Sequence, residues 1–153
     1  MPLYLVRHGE AYPETFDPNR SLTEAGKATV DGMAQMAAAF NIPVSEIFHS
    51  GKTRARQTAE IFSNHLKPSA GIKEIRGISP NDDVTTIEPE LDSTLNTMLV
   101  GHLPFMERLV SYLVIGSPDR SIIRFQTGGI VCLDQIVKHE PWHIKWALMP
   151  RMV

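Results

Sequence analysis

Four residues of this 153-residue chain could do chemistry together by type and by position. Arg7 and His8 follow the apolar run Leu3 to Val6, His102 follows a second such run with Gly101 between, and Arg54 comes just after a third. Arginine's planar fork holds two oxygens of a phosphoryl group at once, and two forks can follow the charge as that group is transferred. A histidine attacks phosphorus only when neutral, and the charges of Arg7 and Arg54 disfavour the imidazolium of His8. His102 can donate to a phosphoryl oxygen in the transition state. Gly9 lets the backbone approach a bound group without a Cβ in the way. These residues outline a phosphate pocket with His8 as nucleophile. The carboxylates are not clustered with the histidines at zinc or two-metal spacing, so no metal and no cofactor is expected.

The elements that must position these groups follow from the apolar pattern. Leu3 to Val6 suits a strand buried on both faces of a parallel sheet, and Arg7 and His8 then emerge at its carboxyl end, the edge where open α/β sheets bind ligands. Ala11 to Arg20 reads as a loop over that edge. Thr23 is an expected N-cap for a helix with an apolar stripe of Val30, Met33, Met36, Ala37 and Phe40, in which Gly26 allows close packing on the sheet. Val44 to His49 forms a second strand. Ser50 reads as the N-cap of a helix packed through Ala55, Thr58, Ala59, Phe62 and Leu66, with Arg54 in its first turn, where free amides favour an anion.

Ile72 to Ile75 is an expected edge strand, and Val84 to Leu95 is weakly helical around Pro89. Thr97 to Val100 is another strand, and Pro104 suits the first turn of a helix packed through Phe105, Met106, Leu109, Val110 and Leu113. Ile122 to Phe125, Ile130 to Val137 and Trp142 to Leu148 complete the strands, the last two joined as a hairpin through Lys138 to Pro141. The predicted architecture is a single domain over residues 1–153: a three-layer α/β/α arrangement with a mostly parallel sheet and helices on both faces.

Composition bounds what such a domain meets. Hydrophobic residues make up 42% and charged residues 21%, as in an ordinary soluble globular protein, and a formal net charge of -2 offers no attraction for nucleic acid or an anionic membrane. No apolar run approaches bilayer length. The lone Cys132 lies in the apolar run Ile130 to Leu133, which fits a small buried hydrophobe and a reducing cytoplasm.

Joined in order, the motifs resemble a family. Leu5-Val6-Arg7-His8-Gly9-Glu10-Ala11, Arg20-Ser21-Leu22-Thr23-Glu24-Ala25-Gly26, Ser50 with Arg54-Ala55-Arg56-Gln57-Thr58-Ala59, Val100-Gly101-His102-Leu103-Pro104 and Thr127-Gly128-Gly129 run over nearly the whole chain. The sequence resembles the SixA-type phosphohistidine phosphatases, small members of the histidine phosphatase, or phosphoglycerate mutase-like, superfamily. That resemblance implies that His8 is phosphorylated during turnover, that Arg7, Arg54 and His102 bind the phosphoryl group beside Gly9, and that Arg20 reaches the same pocket. Two departures matter. Glu14 stands where larger members have an asparagine, and Lys67 to Asn96 is too short for the helical insertion that carries their acidic proton donor.

The implied function is hydrolysis of phosphohistidine on a signalling or carrier protein, since a phosphoramidate asks less help for its leaving group than an alkyl phosphate. A small-molecule phosphomonoesterase, or a phosphoprotein-binding module without turnover, is the alternative. Glu10, Asp82 and Asp83 remain candidate proton donors. Arg56, His49, His65, His139 and His143 read as structural or surface residues, and the two C-terminal tryptophans as sheet packing.

Overall fold

The computed structural model describes residues 1–87 and 95–152, and its sheet is built outward from the opening strand. β1 (Leu3–Arg7) is buried over its first four residues, as a continuous apolar run with both faces covered should be. β1 pairs in parallel with β4 (Thr97–Gly101) on one side and antiparallel with β5 (Ile130–Asp134) on the other. Beyond β4 come β2 (Glu46–His49) and the edge strand β3 (Ile72–Glu74), both parallel to their neighbours. Beyond β5 lies β6 (His143–Leu148), paired antiparallel with it. The order is β3-β2-β4-β1-β5-β6, so the four adjacent strands that run through the site are parallel and only β5 opposes them.

Helices cover both faces, as expected. Tyr4 and Val6 of β1 pack with α1 (Glu24–Ala39) and α2 (Thr53–Leu66), while Leu3 and Leu5 pack with α3 (Phe105–Ile115) and the short 3-10 turn Val84–Thr86. The alternation is the period-two geometry of a strand, and each such apolar side chain removed from water contributes roughly 1.5–3 kcal/mol.

Several local expectations are corrected. The buried face of α1 is Gly26, Val30, Met33, Ala34 and Ala37; Met36 and Phe40 are exposed, because a step of three residues falls about 60° short of a full turn. Thr23 does cap α1, accepting the Gly26 N–H at 2.9 Å. Ser50 does not cap α2: the N-cap is Lys52, with no side-chain cap hydrogen bond. Pro104 stands at the N-cap of α3 rather than inside its first turn.

Ile122 to Phe125 is not a strand. The Phe125 carbonyl accepts from Arg7 Nη1 at 2.9 Å and its N–H donates to Glu107 Oε2 at 2.8 Å, so side chains take both groups that a ladder would use. β5 ends at Asp134, and the link to β6 is longer than the sequence suggested. The tryptophans divide between the layers. Trp142 precedes β6, donates its backbone N–H to the Leu113 carbonyl and packs on the α3 side, whereas Trp146 packs on the other, its ring 6.0 Å from that of Tyr4. Of the expected weak helix Val84 to Leu95, the 3-10 turn is present at its start, and residues 88–94 lie outside the described ones.

Candidate active site

His8 leaves β1 with its backbone held from three directions. Its N–H donates to the Gly101 carbonyl at 2.9 Å, at the end of β4. The Gly128 N–H donates to the carbonyls of Arg7 at 2.9 Å and His8 at 3.2 Å, and the Arg7 N–H donates to Gly129 at 3.1 Å. Gly128 adopts a φ of 80°, in the left-handed region that glycine enters without strain. The Thr127-Gly128-Gly129 segment thus serves as a backbone clamp on the Arg7–His8 peptide.

The tautomer of His8 follows from its partner. Nδ1 lies 2.7 Å from the Gly9 carbonyl oxygen, which can only accept, so the proton sits on Nδ1 and the lone pair on Nε2. The residue is 8% exposed. Its pKa is lowered to about 4, mainly because burial disfavours the charged ring and further by the charges of Arg54, Arg7 and Arg20; only the bond to Gly9 acts the other way. The imidazole is neutral at physiological pH.

The next two residues of the chain are tied to α2 and α1. The Gly9 N–H donates to Thr58 Oγ1 at 3.0 Å, and the Thr58 hydroxyl donates to the Arg54 carbonyl at 2.8 Å. Gln57 accepts the Leu22 N–H at 2.8 Å, fastening the far end of the 11–21 loop to the same helix. Gly26 serves this loop rather than the sheet: a Cβ there would lie 2.2 Å from the Glu10 carbonyl oxygen.

Around His8 the structure gathers the other residues singled out by sequence. Arg54, the second residue of α2, and Arg7 each have a buried Nε with no hydrogen-bond partner among the described residues, and burial disfavours the charge of both. Arg20, at a φ of 50°, donates from Nε to the Tyr12 carbonyl at 3.1 Å, and its charge reaches His8, Arg54 and His102. His102, 1% exposed, faces His8 with ring centroids 5.0 Å apart. Its Nε2 is 2.5 Å from Ser50 Oγ, and its Nδ1 is buried without a partner among the described residues. Its pKa falls to about 3, chiefly through burial and then through His8, Arg54, Lys52 and Arg20.

The remaining candidates lie elsewhere. Arg56 pairs with Glu60 on the helix surface, and His65 with Asp31. His49 is buried and accepts the Gly51 N–H through Nδ1, while His139 and His143 are exposed. The three possible proton donors are engaged: Glu10 accepts from the Thr23 hydroxyl, Asp82 from the Ser79 N–H, and Asp83 from Thr85. Sequence reasoning missed the contact of Ser50 with His102 and the hold of Glu107 on the Arg7 partner. Ser50 carried a signal, its place on the strand-to-helix turn before Arg54, but that position also suits a cap. Glu107 carried none, since its target is 18 residues away.

The sequence model of the histidine phosphatase superfamily (branch 1) matches residues 3–78. The chain belongs to that superfamily. Within it the resemblance is to the SixA type: the structure of the protein histidine phosphatase SixA complexed with tungstate superposes with a TM-score of 0.86 at 22% identity, over 98% of this chain and 97% of that one. A chain from Agrobacterium tumefaciens assigned to the SixA phosphohistidine phosphatases superposes at 0.77 with 27% identity, over 97% of each. The human mitochondrial serine/threonine-protein phosphatase PGAM5 is 29% identical over 94 residues, 58% of this chain and 32% of its own. The chain thus spans about a third of the length of the curated relatives it matches.

Proposed function

We propose that this protein hydrolyses phosphohistidine on a signalling or carrier protein, through a phosphohistidine formed on His8. The observation that carries the reading is the neutral His8 ring, with its Nε2 lone pair available, among Arg7, Arg54 and His102, each with a buried nitrogen that has no partner among the described residues. Phosphoryl oxygens would satisfy all three, and unpaired buried donors cost about 1–3 kcal/mol each. Arg20 adds charge at the rim.

In the first step the Nε2 lone pair forms the bond to phosphorus as the bond from phosphorus to the substrate imidazole breaks. A substrate ring protonated on its other nitrogen departs as neutral imidazole, so no side chain has to supply a proton. His8 keeps its own proton on Nδ1, held by Gly9, and attacking and leaving groups are then the same chemical species. In the second step water attacks phosphorus, the electron pair returns to Nε2, and both water protons stay on the phosphate, released as dihydrogen phosphate. The negative charge in both transition states falls to Arg7, Arg54 and His102. The lone buried Cys132 suits a cytoplasmic setting.

The likeness to SixA supports the phosphohistidine reading, and the name of PGAM5 makes phosphoserine and phosphothreonine peptides the comparison to run. Turnover of a phosphohistidine peptide should exceed that of phosphoserine, phosphothreonine and small monoester substrates. Alkaline quench with intact-mass measurement should find one added phosphoryl group, absent in His8→Ala. Preference for a monoester would replace the substrate assignment. No adduct, with activity unchanged in His8→Ala, would overturn the mechanism; binding without turnover would make the protein a phosphoprotein-binding module.

A further inference from the structure

We propose that Ser50 is a positioning residue that sets the tautomer of His102, donating its hydroxyl proton to Nε2 so that the ring carries its single proton on Nδ1, the nitrogen with no partner among the described residues.

A neutral imidazole has one N–H, and which nitrogen bears it depends on what the other meets. His102 Nε2 meets Ser50 Oγ, 52 residues away in sequence, at 2.5 Å. A hydroxyl can donate or accept, so the contact alone allows two arrangements. The environment of each atom separates them. Ser50 Oγ already accepts the Lys52 N–H at 3.4 Å, which orients one of its lone pairs, and its proton has no other acceptor among the described residues. Donation to Nε2 uses that proton. The opposite arrangement leaves the hydroxyl proton unused and leaves a lone pair on the buried Nδ1, beside the pocket where the oxygens of a phosphoryl group would gather.

Position supports this choice. Ser50 follows β2 and His102 follows the adjacent β4, whose register sets His49 opposite Val100. The parallel pairing therefore brings the two residues past their strand ends together. Ser50 is released for the contact because Lys52, not Ser50, caps α2. The charge-bearing groups that face His102 are His8, Arg54, Lys52 and Arg20; the cationic Arg54, Lys52 and Arg20 have no lone pair to accept a proton bond from Nδ1, and His8 makes none with it. This inference rests on the phosphoryl-binding reading of the pocket, but the state of the ring can be measured without turnover.

The test is nitrogen-15 correlation spectroscopy of the histidine rings, with tungstate binding and kinetics on the same samples. In the unaltered protein His102 should carry its proton on Nδ1. Ser50→Ala should shift it toward the Nε2-protonated form or a mixture, weaken tungstate binding, and lower kcat/KM by about 10- to 100-fold, less than the ~10²–10³ lost on removing an oxyanion donor outright. Ser50→Thr, which keeps the hydroxyl, should restore the tautomer and most of the affinity. Backbone amide spectra identify a variant that fails to fold, in which case the unaltered protein and Ser50→Thr still decide the matter. A proton on Nε2 of His102 in the unaltered protein overturns the proposal, as does a Ser50→Ala protein with the same tautomer and tungstate affinity. Absence of turnover with every phosphorylated substrate would sink the catalytic reading while leaving the tautomer result standing.

Discussion

The rings of His8 and His102 stand 5.0 Å apart, inclined by 50°, and each commits one nitrogen to the protein, His8 to the Gly9 carbonyl and His102 to Ser50. Two histidines so close cannot both be charged, and the arginines around them press the same way. Proton titration by NMR should place the His8 midpoint near 4 rather than near the ordinary 6.5. Arg54→Met, which removes a neighbouring positive charge, should raise it; inorganic phosphate, which neutralises that charge, should do the same. An ordinary midpoint in the free protein would contradict the buried, arginine-flanked ring.

The same depression shapes stability. Because the folded protein keeps His8 and His102 neutral while the unfolded chain protonates them, the unfolded state binds more protons below pH 6.5, and stability falls with it. The contribution is complete above about 6.5 and is lost as pH drops toward 4 for His8 and 3 for His102, at up to about 1.4 kcal/mol per pH unit for each group. Buried His49 acts in the same direction. Urea unfolding at pH 7.5 and pH 5 should register the drop, and His8→Ala should reduce its slope.

Thr58 joins the turn after His8 to the turn carrying Arg54. Thr58→Val keeps its shape but leaves the Gly9 N–H unpaired in a fully buried position, which should cost about 1–3 kcal/mol of stability. Denaturant midpoints check this. Activity should fall beyond the loss of folded protein, because the His8 backbone is then held from fewer sides.

Gly26→Ala is a helix-favouring change by propensity, worth up to ~1 kcal/mol. The 2.2 Å approach of its Cβ to the Glu10 carbonyl reverses that sign, since backbone must move. A net destabilisation of roughly 1–3 kcal/mol is expected, with a reduced kcat/KM. A more stable and equally active variant would disprove the contact.

Glu107 holds the Phe125 N–H while Arg7 holds the Phe125 carbonyl. Glu107→Ala should free that segment and let the Arg7 fork drift, lowering kcat/KM by about 10- to 100-fold with little change in the His8 midpoint. Steady-state kinetics together with the titration separates this from a direct effect on the nucleophile.

The amino-acid sequence by itself determined what is local and periodic. Continuous apolar runs specify β1 and β4 because a strand covered on both faces needs no polar alternation, and Arg7, His8 and His102 follow them directly, so their delivery to one sheet edge was legible. The α1 cap at Thr23 and the buried Ala55, Thr58, Ala59 and Phe62 were legible for the same reason: a few neighbours along the chain decide them. Tertiary structure decided what depends on partners far apart in sequence. Phe125 lost its strand because Arg7 and Glu107 took its backbone groups, β5 turned against its neighbours, Gly26 met Glu10 instead of the sheet, and Ser50 turned from its own helix to His102. A hydroxyl, a carboxylate or a backbone carbonyl satisfies its hydrogen bond with whatever the fold brings within about 3 Å, and that choice is written in the packing rather than in any window of residues.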